Sequence, residues 1–461
     1  MRISLLLFST LLLCAGLTPS LGADQPNIVV FLADDMGHGD AACYGHSRIK
    51  TPNLDRFAQE GLLLTNCHSA DSVCSPSRSA VLTGRTPYRN GVWRWIPSGH
   101  EVHLRQNEVT IATLLKKKGY ATCHVGKWHL NGKFNSNEQP QPNDHGYDWW
   151  FATQNNASPT HKNPTNFVRN GNPAGPLEGF SAPLVVQEAI NWLRNHRDDS
   201  QPFFITVWTH EPHLPIESDP EFMGLYKDID NPGIRQHHGN ITQLDHAFGM
   251  LLRELDEQKL TEDTFVMFTS DNGPEGSGKG NKNLNSQSNR NWGSTGGLRG
   301  RKRDTYEGGI RVPGILRWPG KIEAGTVDDA PVYGCDIFPT LCSMVDIPLP
   351  SDRVIDGASL VPMFEAKPIK RSQPMYWRNH FRTMRIAILD GDWKIIGNDD
   401  RTQFELYNIK EDREEKENVS AMFPERFERM KLQLIEHDLA VLADGPDWWK
   451  SEAERNTQRD K

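Results

Sequence analysis

Asn27-Ile28-Val29-Val30-Phe31-Leu32-Ala33-Asp34-Asp35 is a continuous apolar run that ends on two carboxylates. Rich in branched residues and without polar alternation, it reads as a strand buried on both faces, as in a mostly parallel sheet. Downstream, the pattern alternates. Residues 52–61 form an amphipathic helix with Leu54, Phe57 and Ala58 on one face. A second helix begins at Ser79-Ala80-Val81-Leu82 and closes near Gly84. A third helix, 111–118, leads into a strand over 121–125. Helix 184–196, strand 203–208, helix 241–258 and strand 264–268 follow. Such alternation predicts an α/β fold built on a large doubly wound mixed sheet. Ligands in such sheets bind beyond the carboxyl ends of the strands.

Two segments break the rhythm. Residues 131–178 are rich in Asn, Pro and Gly, and residues 273–300 in Gly, Asn and Ser. Loops of that length are usually functional or disordered. A helix over 336–344 precedes the turn Pro348-Leu349-Pro350-Ser351, and the texture then changes. Met384-Arg385-Ile386-Ala387-Ile388-Leu389 and Trp393-Lys394-Ile395-Ile396 flank Asp390-Gly391, a strong hairpin signal. A strand at Phe404-Glu405-Leu406-Tyr407 and a charged helix over 424–442 complete the pattern. The expected division is a leader at 1–23, a catalytic domain at 24–350 and a smaller C-terminal α+β domain at 351–461. That last domain would carry an antiparallel sheet and a helix.

Arg2, the Leu-rich stretch to Leu13 and the small residues Ser20, Gly22 and Ala23 read as a secretory signal peptide. Export to a periplasm, the extracellular space or a lysosome-like compartment is expected. No later run suits stable membrane insertion. A net charge of -8 argues against a nucleic-acid partner, which would need a basic face. Of the 7 cysteines, Cys14 leaves with the leader. Cys43, Cys67, Cys74, Cys123, Cys335 and Cys342 are enough for three disulfides, and their pairing stays open.

Chemistry gathers at the strand ends. Asp34 and Asp35 follow the first strand, and Asp271 and Asn272 follow the 264–268 strand. Each pair alone resembles a turn or a cap. Together they place oxygen ligands on one sheet edge. Carboxylates that close repel unless a cation offsets them. Oxygen-only ligation favours Ca²⁺ or Mg²⁺, and the looser geometry of Ca²⁺ makes it the first expectation. Cys74-Ser75-Pro76-Ser77-Arg78 puts a cysteine at a helix N-terminus, because Pro76 suits a first turn. That position favours an anion, and Arg78 one turn along adds a fixed charge.

With Leu82-Thr83-Gly84 after it, this Cys-x-Pro-Ser-Arg run resembles the signature of type I sulfatases in the alkaline phosphatase superfamily. Gly126-Lys127-Trp128-His129, His210-Glu211-Pro212-His213-Leu214-Pro215 and Lys302 with Glu307-Gly308-Gly309-Ile310-Arg311-Val312-Pro313 resemble further motifs of that family. The resemblance runs from about residue 26 to residue 440 and is strongest to N-acetylgalactosamine-6-sulfatases. It implies an alkaline phosphatase-like fold and sulfate-ester hydrolysis. It implies that a formylglycine-generating enzyme oxidises Cys74 to Cα-formylglycine. One hydroxyl of the aldehyde hydrate would attack sulfur and expel the alcohol, leaving a sulfate hemiacetal that breaks down to inorganic sulfate.

The same resemblance assigns Asp34, Asp35, Asp271 and Asn272, with residue 74, to the metal. Asp271 would also take the proton of the attacking hydroxyl. Arg78 and Lys127 would orient the hydrate and sulfate oxygens, His129 would be the base for hemiacetal breakdown, and His213 and Lys302 would bind sulfate and protonate the leaving oxygen. A polar contact to sulfate is expected from Asn155 or Asn156, in the loop after His145-Gly146-Tyr147. Arg301 and Arg303 flank Lys302, making this stretch more basic than the family's usual Gly-Lys-Gly; they are either solvated or bind a second anionic group. The implied substrate is a sulfated saccharide of the galactose- or N-acetylgalactosamine-6-sulfate type. His210, Arg94, Trp95, Arg378 and His380 are further candidates to contact it, with Trp149, Trp150 and Trp377 as possible aromatic walls. Rival expectations are a phosphonate monoester or phosphodiester hydrolase on the same scaffold, and a non-catalytic glycan-binding relative. The sequence sets no oligomeric state.

Overall fold

The computed structural model describes residues 25–276 and 292–445. The expected leader, most of the 273–300 loop and the tail after Trp449 lie outside them. In chain order the first strands are β1 (Asn27–Asp34), β2 (Leu62–Leu64), β3 (Cys67–His68), β4 (Ala121–Lys127), β5 (Trp149–Thr153) and β6 (Val168–Arg169). Then come β7 (Asn172–Pro173), β8 (Phe203–Pro212), β9 (Thr264–Ser270), β10 (Gly314–Arg317), β11 (Thr326–Asp328) and β12 (Val332–Tyr333). The last four are β13 (Met375–Arg378), β14 (Met384–Asp390), β15 (Trp393–Asn398) and β16 (Phe404–Asn408).

Ten strands form one sheet in the order β11-β2-β10-β9-β1-β8-β4-β5-β6-β7. Its centre, β9-β1-β8-β4-β5, is parallel throughout. β10 runs antiparallel to both neighbours, and β6 and β7 extend the other edge antiparallel. The sheet is therefore mixed, as the alternation of elements predicted.

β1 shows why the run folds this way. Successive side chains point to opposite faces, so Ile28, Val30 and Leu32 enter one core and Val29, Phe31 and Ala33 the other. The first core packs against Val81 and Leu82, Ile111 and Leu115, and Phe338 and Leu341. The second packs against Leu54 and Phe57, Val185 and Trp192, and Leu244, Phe248, Leu251 and Leu252. Burial on both faces is what an unbroken apolar run requires.

Several expectations are extended or corrected. The helix read from residue 241 begins at Pro232, where the Asn231 side chain accepts from the Gly233 and Ile234 amides. The helix read from Ser79 begins at Cys74. The 131–178 segment contains a strand, β5. Trp150 is packed there in the core, and Trp149 stacks on His196 at 4.3 Å, so neither forms a sugar wall. Trp377 is buried beneath the C-terminal sheet and donates its indole N–H to the Ser69 carbonyl. All six described cysteines are free thiols. No helix among the described residues is long and apolar enough to cross a membrane.

β13-β14-β15-β16 form a separate antiparallel sheet. One face, with Met375, Ala387 and Ile396, packs on Ala70, Ala80 and Tyr333 of the larger body. The other face, with Ile388 and Leu406, packs on Met430, Leu434 and Val441 of the Pro424–Asp444 helix. A buried charge cluster ties the two bodies together. Glu307 accepts from Arg311, Lys394 and His68, and Glu415 pairs with Lys394 at 2.8 Å.

His145 lies under the site against Trp128, with ring centroids 5.8 Å apart. Burial brings its pKa to about 4, although Asp144 and the Leu104 carbonyl pull the other way. Below pH 6.5 the unfolded chain therefore binds a proton that the folded chain refuses. The stabilisation is present above 6.5 and is lost as pH falls toward 4. Its size is at most about 3 kcal/mol. Urea unfolding at pH 7 and pH 4 should show a smaller acid loss in His145→Gln than in the parent. Identical slopes would show that His145 does not titrate in this way.

Candidate active site

Four strands of the parallel core deliver polar groups to one edge. β1 ends at Asp34, beside Asp35. β9 ends just before Asp271 and Asn272. β4 ends at Lys127, and β8 carries His210 to Pro212, just before His213. In register, Asp34 lies opposite Pro212 and Ala33 opposite Ser270. Cys74 opens the Cys74–Thr83 helix over this edge, and every residue of that helix is buried.

Three carboxylates meet three cations. Lys127 Nζ is 2.6 Å from Asp34 Oδ2, and Lys302 Nζ is 2.5 Å from Asp35 Oδ1. Arg78 donates through Nε (3.0 Å) and Nη2 (2.7 Å) to Asp271 Oδ2, and through Nη1 to the Lys127 carbonyl. Burial raises the Asp34 carboxyl, but Lys127, His213, Arg78 and Lys302 outweigh it and hold it well below the usual range. Burial, and then the Asp34 charge, push Asp271 up to about 7 against the pull of Arg78. Burial pushes the Cys74 thiol up although Lys127 and Lys302 oppose it. The native thiol is thus a poor thiolate nucleophile.

The residues present suit a hard cation. Asp34 Oδ1, Asp35 Oδ2 and Asn272 Oδ1 are buried with no hydrogen-bond partner. The Asn272 amide nitrogen donates to Asp35 Oδ1 at 2.7 Å and to the Gly273 carbonyl, which fixes its oxygen. Bare buried oxygens of this kind are costly unless an ion takes them. Asp34, Asp35 and His213 each offer a ligand atom, all within 4.8 Å of one another. His213 is an addition that oxygen-based reasoning did not include.

The histidines have distinct environments. His129, in left-handed backbone at φ 55°, directs Nε2 to the Ile96 carbonyl at 3.0 Å, so Nε2 carries the proton. Nδ1 is left as a bare lone pair. Burial, with Lys127 and Arg78, holds His129 well below its ordinary pKa. His213 gives Nδ1 to the Leu214 carbonyl and turns Nε2 toward Asp35 Oδ2 at 3.7 Å. Its side chain is 14% exposed, more than any of Asp34, Asp35, Arg78, Lys127, Asp271 and Lys302.

Other candidates sit further out. His210 uses Nε2 on Thr153 and Nδ1 on Ser181, so both ring nitrogens are committed to the scaffold rather than to a substrate. Arg378 is held by Asp438 at 2.6 Å and by Asp399, which commits its charge to the C-terminal body. Asn156 lies in the turn after β5, beside the Lys127 end of β4, with Oδ1 buried and unbonded. The 93–96 segment runs along the rim, because the Ile96 amide donates to Ser75 Oγ and its carbonyl meets His129. Arg94 stacks over Trp93 and Trp95, and His380 packs edge-on to Trp93 at 4.7 Å. Glu275, which no sequence motif marks, is buried beside Lys302 at 3.7 Å and pairs with Arg303.

The sulfatase family model matches residues 26–347. A second, described as N-sulphoglucosamine sulphohydrolase, C-terminal, matches residues 300–439. The chain is similar to human steryl-sulfatase, at 33% identity over 420 residues, covering 76% of this chain and 71% of that one. It is similar to N-acetylgalactosamine-6-sulfatase of Canis lupus familiaris, at 34% identity, covering 76% and 67%. Among solved structures it resembles Ps i-CgsB in complex with k-i-k-neocarrahexaose, with a TM-score of 0.81 and 25% identity over 92% of this chain and 94% of that one.

Proposed function

The chain belongs to the sulfatase family of sulfuric ester hydrolases, and from that premise we propose that it is exported and removes sulfate from a sulfated carbohydrate. The sugar is of the galactose- or N-acetylgalactosamine-6-sulfate type. A divalent cation, Ca²⁺ first, would be held by Asp34, Asp35, Asp271 and Asn272, and would supply a positive field at the sulfate and at residue 74. Cys74, matured to formylglycine by a separate enzyme, supplies that attacking oxygen from its aldehyde hydrate. The observation that carries this reading is the trio of bare buried oxygens beside Cys74, ringed by Arg78, Lys127 and Lys302.

The chain's own groups divide the work. Arg78 and Lys127 are already locked on Asp271 and Asp34, so they meet an incoming sulfate without reorganising. Lys302 Nζ binds a sulfate oxygen and gives a proton to the departing alkoxide, and His213 Nε2 joins it in the protonated ring, because Nδ1–H is held by the Leu214 carbonyl. His129 Nδ1, neutral and bare, accepts the proton that must leave residue 74 before sulfate is released. Two relatives act, by name, on different alcohols, a sterol and an aminosugar. The rim of Arg94, Trp95 and His380 supports the sugar here, because aromatic faces and cations suit an anionic glycan.

The test uses matured, Ca²⁺-loaded protein against an aryl sulfate, an aryl phosphodiester, a steryl sulfate and a panel of 6-sulfated sugars. Sulfate release should be fastest from the sugars. Dominant phosphodiesterase activity would overturn the reaction, and a clear preference for the steryl sulfate would overturn the substrate class. Glycan binding without sulfate release from any member would mark a non-catalytic relative.

A further inference from the structure

The two arginines beside Lys302 are not equivalent. Arg301 turns inward and donates Nη2 to the backbone carbonyls of Glu275 and Gly293. Arg303 turns to the rim. It gives Nη1 to Glu275, lies 5.8 Å over the Phe381 ring and keeps 31% of its side chain exposed. Its amide donates to the Ser72 carbonyl at 3.0 Å, two residues before Cys74. Asp35 and Cys74 lie near enough to act on its charge.

Arg303 also sits at φ 76°, in the left-handed region where glycine is least strained. A non-glycine residue is strained there, and such strain clusters at functional sites. Lys302 is also held by Asp35 at 2.5 Å, and of the two cations on Glu275 it is Arg303 that reaches solvent, 31% exposed against 3%. Arg382, 55% exposed, pairs with Asp304 at 3.4 Å on the same side. Phe381 meets His380, which packs on the buried Trp93, over which Arg94 lies, so ring contacts link Arg303 to Arg94.

We infer that Arg303 is a specificity-determining residue that binds a second anionic group of the sugar, next to the sulfate ester being cleaved. This rests on the carbohydrate sulfatase reading and narrows it to doubly anionic saccharides. A guanidinium suits a planar or branched oxyanion in two-point contact. That oxyanion is either a second sulfate on the same ring or the carboxylate of an adjoining uronate.

The experiment measures kcat/KM of the matured, Ca²⁺-loaded parent, Arg303→Ala and Arg303→Lys. The substrates are N-acetylgalactosamine 6-sulfate, its 4,6-disulfate and a uronate-containing disaccharide with one 6-sulfate; an aryl sulfate monitors the parent reaction. The parent should prefer one doubly anionic substrate over the monosulfate, and whichever it prefers identifies the second anion. In Arg303→Ala that preference ratio should fall by about tenfold to a hundredfold, with part of it kept in Arg303→Lys. No preference in the parent, or an unchanged ratio in Arg303→Ala, overturns the inference while leaving the sulfatase reading intact. Absence of sulfate release from every one of these substrates by the parent overturns the sulfatase reading, and this inference with it.

Discussion

Cys74→Ala abolishes sulfate release, with a fall in kcat of at least about 10⁴-fold. The size of the effect follows from the site's dependence on one atom position. Cys74 is 3% exposed and opens a fully buried helix, so no neighbouring side chain can move in to replace it. Its thiol, pushed up by burial, would be a poor nucleophile. Thiol attack on sulfur would moreover leave a stable thiosulfate-type adduct. The same position bearing an aldehyde hydrate avoids both obstacles. Natively produced protein should therefore show, by peptide mass spectrometry, a mass loss at residue 74 matching thiol-to-aldehyde conversion. Sulfate release should scale with the converted fraction. A fully active preparation carrying unmodified Cys74 would refute the mechanism, as would substantial turnover by Cys74→Ala. Circular dichroism and the unfolding midpoint of the variant separate loss of chemistry from loss of fold.

The features legible in the sequence are those that depend on local pattern. β1 was readable because burial on both faces leaves an unbroken apolar run, and the Asp34-Asp35 pair was readable because it ends that run. The hairpin at Asp390-Gly391 was readable from its turn. Strands β2, β10 and β11 were not: each has only three or four residues, and they pair only with one another and with the β9 edge. β5 was hidden in a segment whose Asn, Pro and Gly content dominates its composition. The site shows the same divide. Motifs gathered Asp271, Lys127 and His213, but a motif does not say which way a ring faces. His210 shares a run with His213, yet the alternation along β8 turns it into Thr153 and Ser181. Arg378 looked available because Asp438, its partner at 2.6 Å, is distant in sequence. Arg301 and Arg303 were indistinguishable by composition and differ only in the backbone that carries them.

Stripping divalent cations should lower the unfolding midpoint and stop turnover together, and Ca²⁺ should restore both. The carboxylate geometry makes the prediction more specific. Asp34 offers Oδ2 to Lys127 and leaves Oδ1 bare, and Asp35 offers Oδ1 to Lys302 and leaves Oδ2 bare. A metal ion at the bare oxygens would therefore not compete with the lysines for them. Three carboxylates already face three cations, so a divalent ion leaves the pocket with excess positive charge, which favours a sulfate ester. At a thousandfold excess over its dissociation constant the ion stabilises the fold by about 4 kcal/mol. That is enough to shift the midpoint by several degrees. Asp34→Asn should lose both this shift and activity. Lys302→Met should keep the shift, because its removal leaves the bare oxygens in place, and still lose turnover by about a hundredfold or more for want of a donor to the sulfate. A Lys302→Met protein that has lost the Ca²⁺-induced shift as completely as Asp34→Asn would show that the lysine builds the metal site instead. Equal shifts with Mg²⁺ and Ca²⁺ would remove the preference for calcium.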